Sequence, residues 1–229
     1  MNTLIRIEKK AYIFDLFHTL TDRESVWANL PTTSEYLGID RDIWNEFLQF
    51  GSYERLCGFE RDEFKIIRDI VDKIDNSISD TKVREAIEIR KNRFGQALVK
   101  IPSNTIETLA ILKSKGIKLG LLSNADVMEI AMWNQSPIAS IFDSTIFSCN
   151  VGYAKPDAEI YRLSMNELSV SANEAIFIGD GGSDELRGAK QVGLSTIMIT
   201  GVIQELWPEK IDQRRIWADY EIERIEQLQ

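Results

Sequence analysis

Lys10-Ala-Tyr-Ile-Phe-Asp-Leu-Phe-His-Thr-Leu20 decides how the rest of the chain is read. Ala11 to Phe14 is a short apolar run rich in aromatic and β-branched residues, the signature of a buried strand. A carboxylate, Asp15, follows at once at the strand's C-terminal end. In an open parallel sheet that edge is where ligands bind. An acid buried there costs free energy unless a cation or hydrogen-bond donors compensate it. Asp15 therefore needs partners, and the sequence further on supplies candidates.

Beyond Thr21 the texture changes. Up to Lys100 charges are dense and apolar residues recur at helical spacing, as in Phe64, Ile67, Ile70, Val71 and Ile74. Asp40, Asp62 and Asp80 are suited to N-caps. Residues 21–100 are expected to form an all-helical insert of three to five helices. After Ile101-Pro102 helices and strands alternate. Helices are expected over residues 103–115, 127–134, 157–168 and 184–192. Strands are expected over 117–122, near 147, and over 175–178 and 196–199, with an edge strand near 218–222. Strands alternating with helices of roughly 10–15 residues mean βαβ units and a doubly wound parallel sheet. The fold class is therefore α/β: a core of residues 1–20 and 101–229, interrupted by the helical segment. A lid inserted directly after the strand bearing Asp15 suits an enzyme that excludes water or selects its substrate.

Composition narrows the partners. The chain has 229 residues, 44% of them hydrophobic, and a formal net charge of -9. That is enough for a sizeable core. With no basic block, it argues against nucleic acid and anionic membrane as partners. No apolar run approaches the ~18 residues of a membrane span. The first ten residues lack the long apolar stretch of a signal peptide. Cys57 and Cys149 lie far apart and read as two buried free thiols. The expected setting is reducing and cytoplasmic.

Polar residues gather at successive strand ends: Asp15, Ser123-Asn124, Lys155 before a helix, and Asp180 with Asp184 inside Ile178-Gly-Asp-Gly-Gly-Ser-Asp184. Carboxylates crowded at one sheet edge repel one another in a low dielectric. Oxygen donors of this kind suit Mg²⁺. Lys155 would balance the remaining charge and hold an anionic substrate group, with Ser123 and Asn124 as small donors.

Taken in order, these segments resemble the haloacid dehalogenase superfamily of hydrolases with a helical cap inserted after the first motif. Phe14-Asp-Leu-Phe-His-Thr-Leu20 resembles the first motif and Leu121-Leu-Ser-Asn124 the second. Gly152-Tyr-Ala-Lys-Pro-Asp157 resembles the third, and Ile178-Gly-Asp-Gly-Gly-Ser-Asp184 the fourth. The resemblance implies covalent catalysis by Asp15 through an ester intermediate that water cleaves. It implies that Ser123 and Lys155 hold the substrate anion and that Thr19 steadies the loop. It places Mg²⁺ on Asp15, Asp180 and the backbone carbonyl of Phe17, with Asp184 fixing the ion's waters or ligands. The implied substrate is a small phosphorylated metabolite.

One position departs from the pattern. Phosphatases of this superfamily usually carry a second Asp two residues after the nucleophile, and here that place is Phe17. General acid–base help is typically worth 10²–10⁴-fold. An aromatic residue there resembles the 2-haloacid dehalogenases, whose halide leaving group needs no proton. Gly179-Asp180-Gly181 keeps the phosphatase form. A halogenated substrate, or binding without turnover, stay open beside the phosphatase reading. His18, the single histidine, is a candidate replacement for the missing acid. Arg55, in the turn Tyr53-Glu-Arg-Leu-Cys-Gly58, is a candidate substrate contact from the cap.

Overall fold

A computed structural model describes residues 7–27 and 29–228. The first strand, β1 (Ala11–Phe14), is followed by α1 (Glu24–Trp27), α2 (Thr33–Leu37), α3 (Arg41–Gln49), α4 (Ser52–Leu56), α5 (Glu63–Ile74) and α6 (Asp80–Val99). The chain continues with α7 (Ser103–Ser114), β2 (Lys118–Ser123), β3 (Ser144–Phe147), α8 (Ser148–Val151), α9 (Ala158–Leu168) and β4 (Ala175–Gly179). It ends with α10 (Glu185–Gln191), β5 (Ser195–Ile199), α11 (Gly201–Leu206), α12 (Ile211–Arg215) and β6 (Tyr220–Ile222).

The six strands form one sheet in the order β3-β2-β1-β4-β5-β6, and every pairing is parallel. All four residues of β1 are buried, so both of its faces need cover. Tyr12 and Phe14 pack into one apolar cluster with Leu109 and Leu112 of α7. Ala11 and Ile13 point the other way, against Ile160, Tyr161 and Leu168 of α9 and Ala189 of α10. That two-residue alternation is what a strand inside a two-faced core requires. Each large side chain fully buried there contributes about 1.5–3 kcal/mol.

The register explains where the polar residues gather. Phe14 lies beside Leu121 of β2 and Ile178 of β4. Asp15, one residue on, and Ser123 and Asp180, two residues on, therefore emerge at the same C-terminal edge. The amide of Asp15 donates to the carbonyl of Ile178 at 2.9 Å, which carries the ladder one residue past Phe14.

Between β1 and α7 the described residues are helical, in six helices where three to five were expected. The additional ones are single turns of four or five residues. They have their own apolar cluster, including Leu37, Trp44, Ile67, Val71, Val83 and Ile87, with Met128 joining it from beyond β2. Asp40 and Asp62 are N-caps, accepting from amides two or three residues on. Asp80 is not: Ser79 caps α6 and Asp80 is its first residue.

The helix expected over 127–134 does not form. Asp126 Oδ1 accepts from the amides of Met128 and Glu129, which starts a turn. The amides beyond it reach back only three residues, as Trp133 does to Ile130 and Gln135 to Met132. Pro137 stops any continuation. Cys57 and Cys149 are both buried and unpaired, as the sequence suggests. Among the described residues no helix is long and apolar enough to cross a membrane.

Candidate active site

Asp15 sits at the floor of a cavity of about 210 Å³ at the C-terminal edge of the sheet. Lys155 Nζ contacts its Oδ1 at 2.5 Å, and Thr19 Oγ1 donates to its Oδ2 at 3.1 Å. Lys155 is itself held by Asn124. The Asn124 amide donates to the Lys155 carbonyl at 2.9 Å and accepts from the Lys155 amide at 2.7 Å. Asn124 therefore lines the cavity while its side chain is committed to positioning the lysine.

Ser123 also lines the cavity and is buried, and its hydroxyl has no hydrogen-bond partner. A buried hydroxyl left unmade costs about 1–3 kcal/mol, so this one is available to a ligand.

Asp180 leaves β4 into a tight turn. Its Oδ1 accepts from the Gly182 amide at 2.8 Å. A side chain at Gly179 would place its Cβ 2.1 Å from a carboxylate oxygen of Glu185, so only glycine lets that acid fold in. Glu185 is the first residue of α10, and its Oε1 accepts from the Gly181 amide at 2.9 Å. Its other oxygen meets Lys155 Nζ at 2.6 Å. Oxygens of Asp15, Asp180 and Glu185 lie within 4.8 Å of one another, and all three residues are buried.

Electrostatics follow from that crowding. Burial pushes the Glu185 carboxyl up to about 8, with Asp15 and Asp180 adding to the rise against the pull of Lys155. Lys155 moves up as well: burial alone would lower it, but the charges of Asp15 and Glu185 outweigh that cost. A site made only of hard oxygen donors, with three acids converging, fits a small divalent cation such as Mg²⁺. Asp15, Asp180 and Glu185 would hold it.

Asp184 stands elsewhere. Ser183 and Asp184 both take left-handed backbone, with φ of 52° and 53°. That twist turns Asp184 outward, where it pairs with Arg187 at 2.9 Å in solvent. The second acid of the loop is its neighbour, Glu185. Arg55 is not brought to the cavity either. It pairs with the buried Asp126 at 2.7 Å and donates to the Leu48 carbonyl at 3.2 Å.

Phe17 lines the cavity too, and its ring packs in an aromatic group, 5.7 Å from Trp27 and 5.3 Å edge-on to Phe94 between centroids. His18 lies in the same wall, stacked on Trp27 and edge-on to Trp207 at 5.2 Å. Its φ of 62° is left-handed, and its amide donates to Thr21 Oγ1 at 3.0 Å.

Two residues with no chemical signal in the sequence complete the cavity. Trp207 forms part of its rim. Arg214 of α12 contacts the Asp180 carboxylate at 2.8 Å and the Asp180 carbonyl at 3.0 Å. Only their position after β5, in the segment that leads to β6, could have drawn attention to them.

Comparison with known proteins agrees with this geometry. The haloacid dehalogenase-like hydrolase family matches residues 9–193. A glyceraldehyde 3-phosphate phosphatase of Methanocaldococcus jannaschii is 26% identical over 166 residues, covering 71% of this chain and 68% of that protein. A phosphorylated carbohydrates phosphatase of Thermotoga maritima is 27% identical over 199 residues, covering 86% and 87%. In three dimensions an L-2-haloacid dehalogenase of Xanthobacter autotrophicus superposes with a TM-score of 0.65 at 19% identity, covering 95% and 96%. At that identity the likeness speaks for the fold alone.

Proposed function

The chain belongs to the haloacid dehalogenase-like hydrolase family, and from that premise we propose that it is a phosphatase acting on a small phosphorylated metabolite. The observation that carries this is the convergence of Asp15, Asp180 and Glu185 oxygens within 4.8 Å. Displacing a halide from carbon creates no need for a third buried acid. A phosphoryl group is different, because its own negative charge must be brought to a carboxylate nucleophile. Bound Mg²⁺ would supply the charge compensation that makes this approach tolerable.

The protein's own residues do the rest. Asp15 attacks phosphorus with a carboxylate oxygen, forming the acyl phosphate as the bond to the leaving oxygen breaks. Lys155 and the free Ser123 hydroxyl hold the non-bridging phosphoryl oxygens. Thr19 fixes the rotamer of Asp15. Water then attacks phosphorus, releasing inorganic phosphate and restoring the carboxylate. At about 210 Å³ the cavity is smaller than usual ligand pockets of ~300–1,000 Å³. It suits a phosphoryl group with only a few further atoms. The helical segment acts as the cap: it covers the strand ends, and Phe94 closes the aromatic wall around Phe17.

Phe17 cannot give a proton to a leaving alkoxide, so the substrate should carry a good leaving group. The test is kcat/KM for acetyl phosphate and p-nitrophenyl phosphate against glyceraldehyde 3-phosphate, with Mg²⁺ and with EDTA. Good leaving groups should win by about 10²-fold, and EDTA should abolish turnover. Equal values would mean that another group, His18 first, supplies the proton. Chloride release from 2-chloropropionate in EDTA would replace this reading with a dehalogenase.

A further inference from the structure

The acids of the site face two fixed cations, and only Lys155 belongs to the motifs. The other, Arg214, arrives from the segment after β5. Its Nη1 contacts Asp180 Oδ2 at 2.8 Å, and its side chain is only 15% exposed. The contact is built into the fold. A Cβ at Gly181, where φ is 86°, would come within 3.0–3.1 Å of the Arg214 Cβ, Cγ and Cδ, so the loop leaves room for this side chain. Ile203 of α11 and Ile211 of α12 are buried in the main core and anchor the segment that carries it. Both oxygens of Asp180 are thereby occupied, one by the Gly182 amide and one by a guanidinium.

We propose that Arg214 is a positioning residue that competes with the divalent ion for Asp180 and so sets how much metal the site requires. The inference rests on the reading above that the three acids hold such an ion. A guanidinium and a divalent cation on one carboxylate oxygen repel each other, and the repulsion is strong where water is excluded. The same guanidinium holds Asp180 in place before metal arrives, since three close carboxylates with only Lys155 among them are poorly compensated. Arg214 therefore stabilises the metal-free protein and weakens metal binding, two effects of opposite sign from one contact.

The experiment is calorimetric titration of the full chain with MnCl₂, together with melting curves with and without Mn²⁺. Arg214→Gln should bind Mn²⁺ about tenfold more tightly than the wild type. Arg214→Lys, whose shorter ammonium stands farther from Asp180, should gain roughly threefold. Arg214→Gln should melt below the wild type in EDTA and recover most of that loss with Mn²⁺. Unchanged or weaker binding in both variants overturns the proposal, and so does a melting deficit of equal size with and without metal. Should Arg214→Gln not fold, the threefold gain in Arg214→Lys decides alone. If no form binds Mn²⁺ at millimolar concentration, the metal reading falls too, whereas tight but equal binding removes only the role of Arg214.

Discussion

Among the described residues two buried ionic clusters stand out, and they differ by one acid. At the strand ends, Lys155 and Arg214 face Asp15, Asp180 and Glu185. At the seam between the helical segment and the core, Arg55 and Arg90 face Asp126 and Glu129. The seam is balanced, two against two. Burial would raise Asp126, but the Arg90 and Arg55 charges outweigh it and hold this carboxyl below its usual range. The strand-end cluster carries a surplus acid, and it opens into a cavity. A closed, neutral set of ion pairs has finished its work on folding. A surplus acid beside a cavity, kept protonated near neutral pH by burial and by the neighbouring acids, is unfinished until something positive, or something that brings a cation, takes its proton's place.

The comparison can be broken at its strongest point by neutralising one acid in each cluster. Asp15→Asn should lower turnover on the order of 10⁴-fold or more, as loss of a nucleophile does. Asp126→Asn should leave kcat/KM within about tenfold. Steady-state kinetics on the best substrate measure both, and equal losses would erase the distinction.

Stability should respond in reverse. Asp126→Ala takes the carboxylate partner from Arg55 and leaves Arg90 with Glu129 alone, and should cost about 3–5 kcal/mol in urea unfolding. Glu185→Gln, measured in EDTA, removes the surplus acid while keeping an acceptor for Gly181, and should change stability by less than about 1 kcal/mol. A large loss in Glu185→Gln would show that this cluster is structural as well.

Ligand-linked stabilisation sharpens the contrast further. Saturating Mg²⁺, at about 100 times its dissociation constant, should add about 2.7 kcal/mol to the wild type. Asp180→Asn should lose that gain and Asp126→Asn should keep it. Thermal melts with and without Mg²⁺ give the answer.

The smallest expected effect concerns access to the seam. Burial pushes the Cys149 thiol up to about 11, and the Arg61 guanidinium bonds its carbonyl. The thiol is neutral below that value, so reaction with iodoacetamide at pH 8 should be far slower than for a free cysteine. It should rise only as pH approaches 11. Rapid labelling at pH 8 would mean that the seam opens readily.

Much of this was written in the sequence. Short apolar runs ending in Asp15, Ser123 and Asp180 are strands whose register brings those ends together, and the residues show both the runs and their endings. Loop handedness is less visible. Gly-Gly-Ser followed by two acids does not say which acid turns inward, and the left-handed Ser183 and Asp184 decide for Glu185. Partners distant in sequence are harder still. Arg55 looks free until Asp126, 71 residues on, is seen against it. Arg214 looks like one of several surface arginines until the chain returns over Gly181. Beyond Asp126 the helical spacing misleads: the side chain caps the amides of Met128 and Glu129 as at a helix start, yet the following amides close only three-residue turns and Pro137 ends the segment.

The position of β1 bears on how the protein is born. It lies inside the sheet, yet Ala11 pairs with Lys118 on one side and Ala175 on the other. A ribosome adding about 5–20 residues per second exposes this apolar ribbon roughly 10–30 s before its last neighbour is translated. Helices α1 to α6 rely on local contacts and can form in that interval. Translated before the other strands of the sheet, β1 is therefore among the last to be buried on both sides. Chaperones that shield nascent strands have their longest task at the residues preceding Asp15.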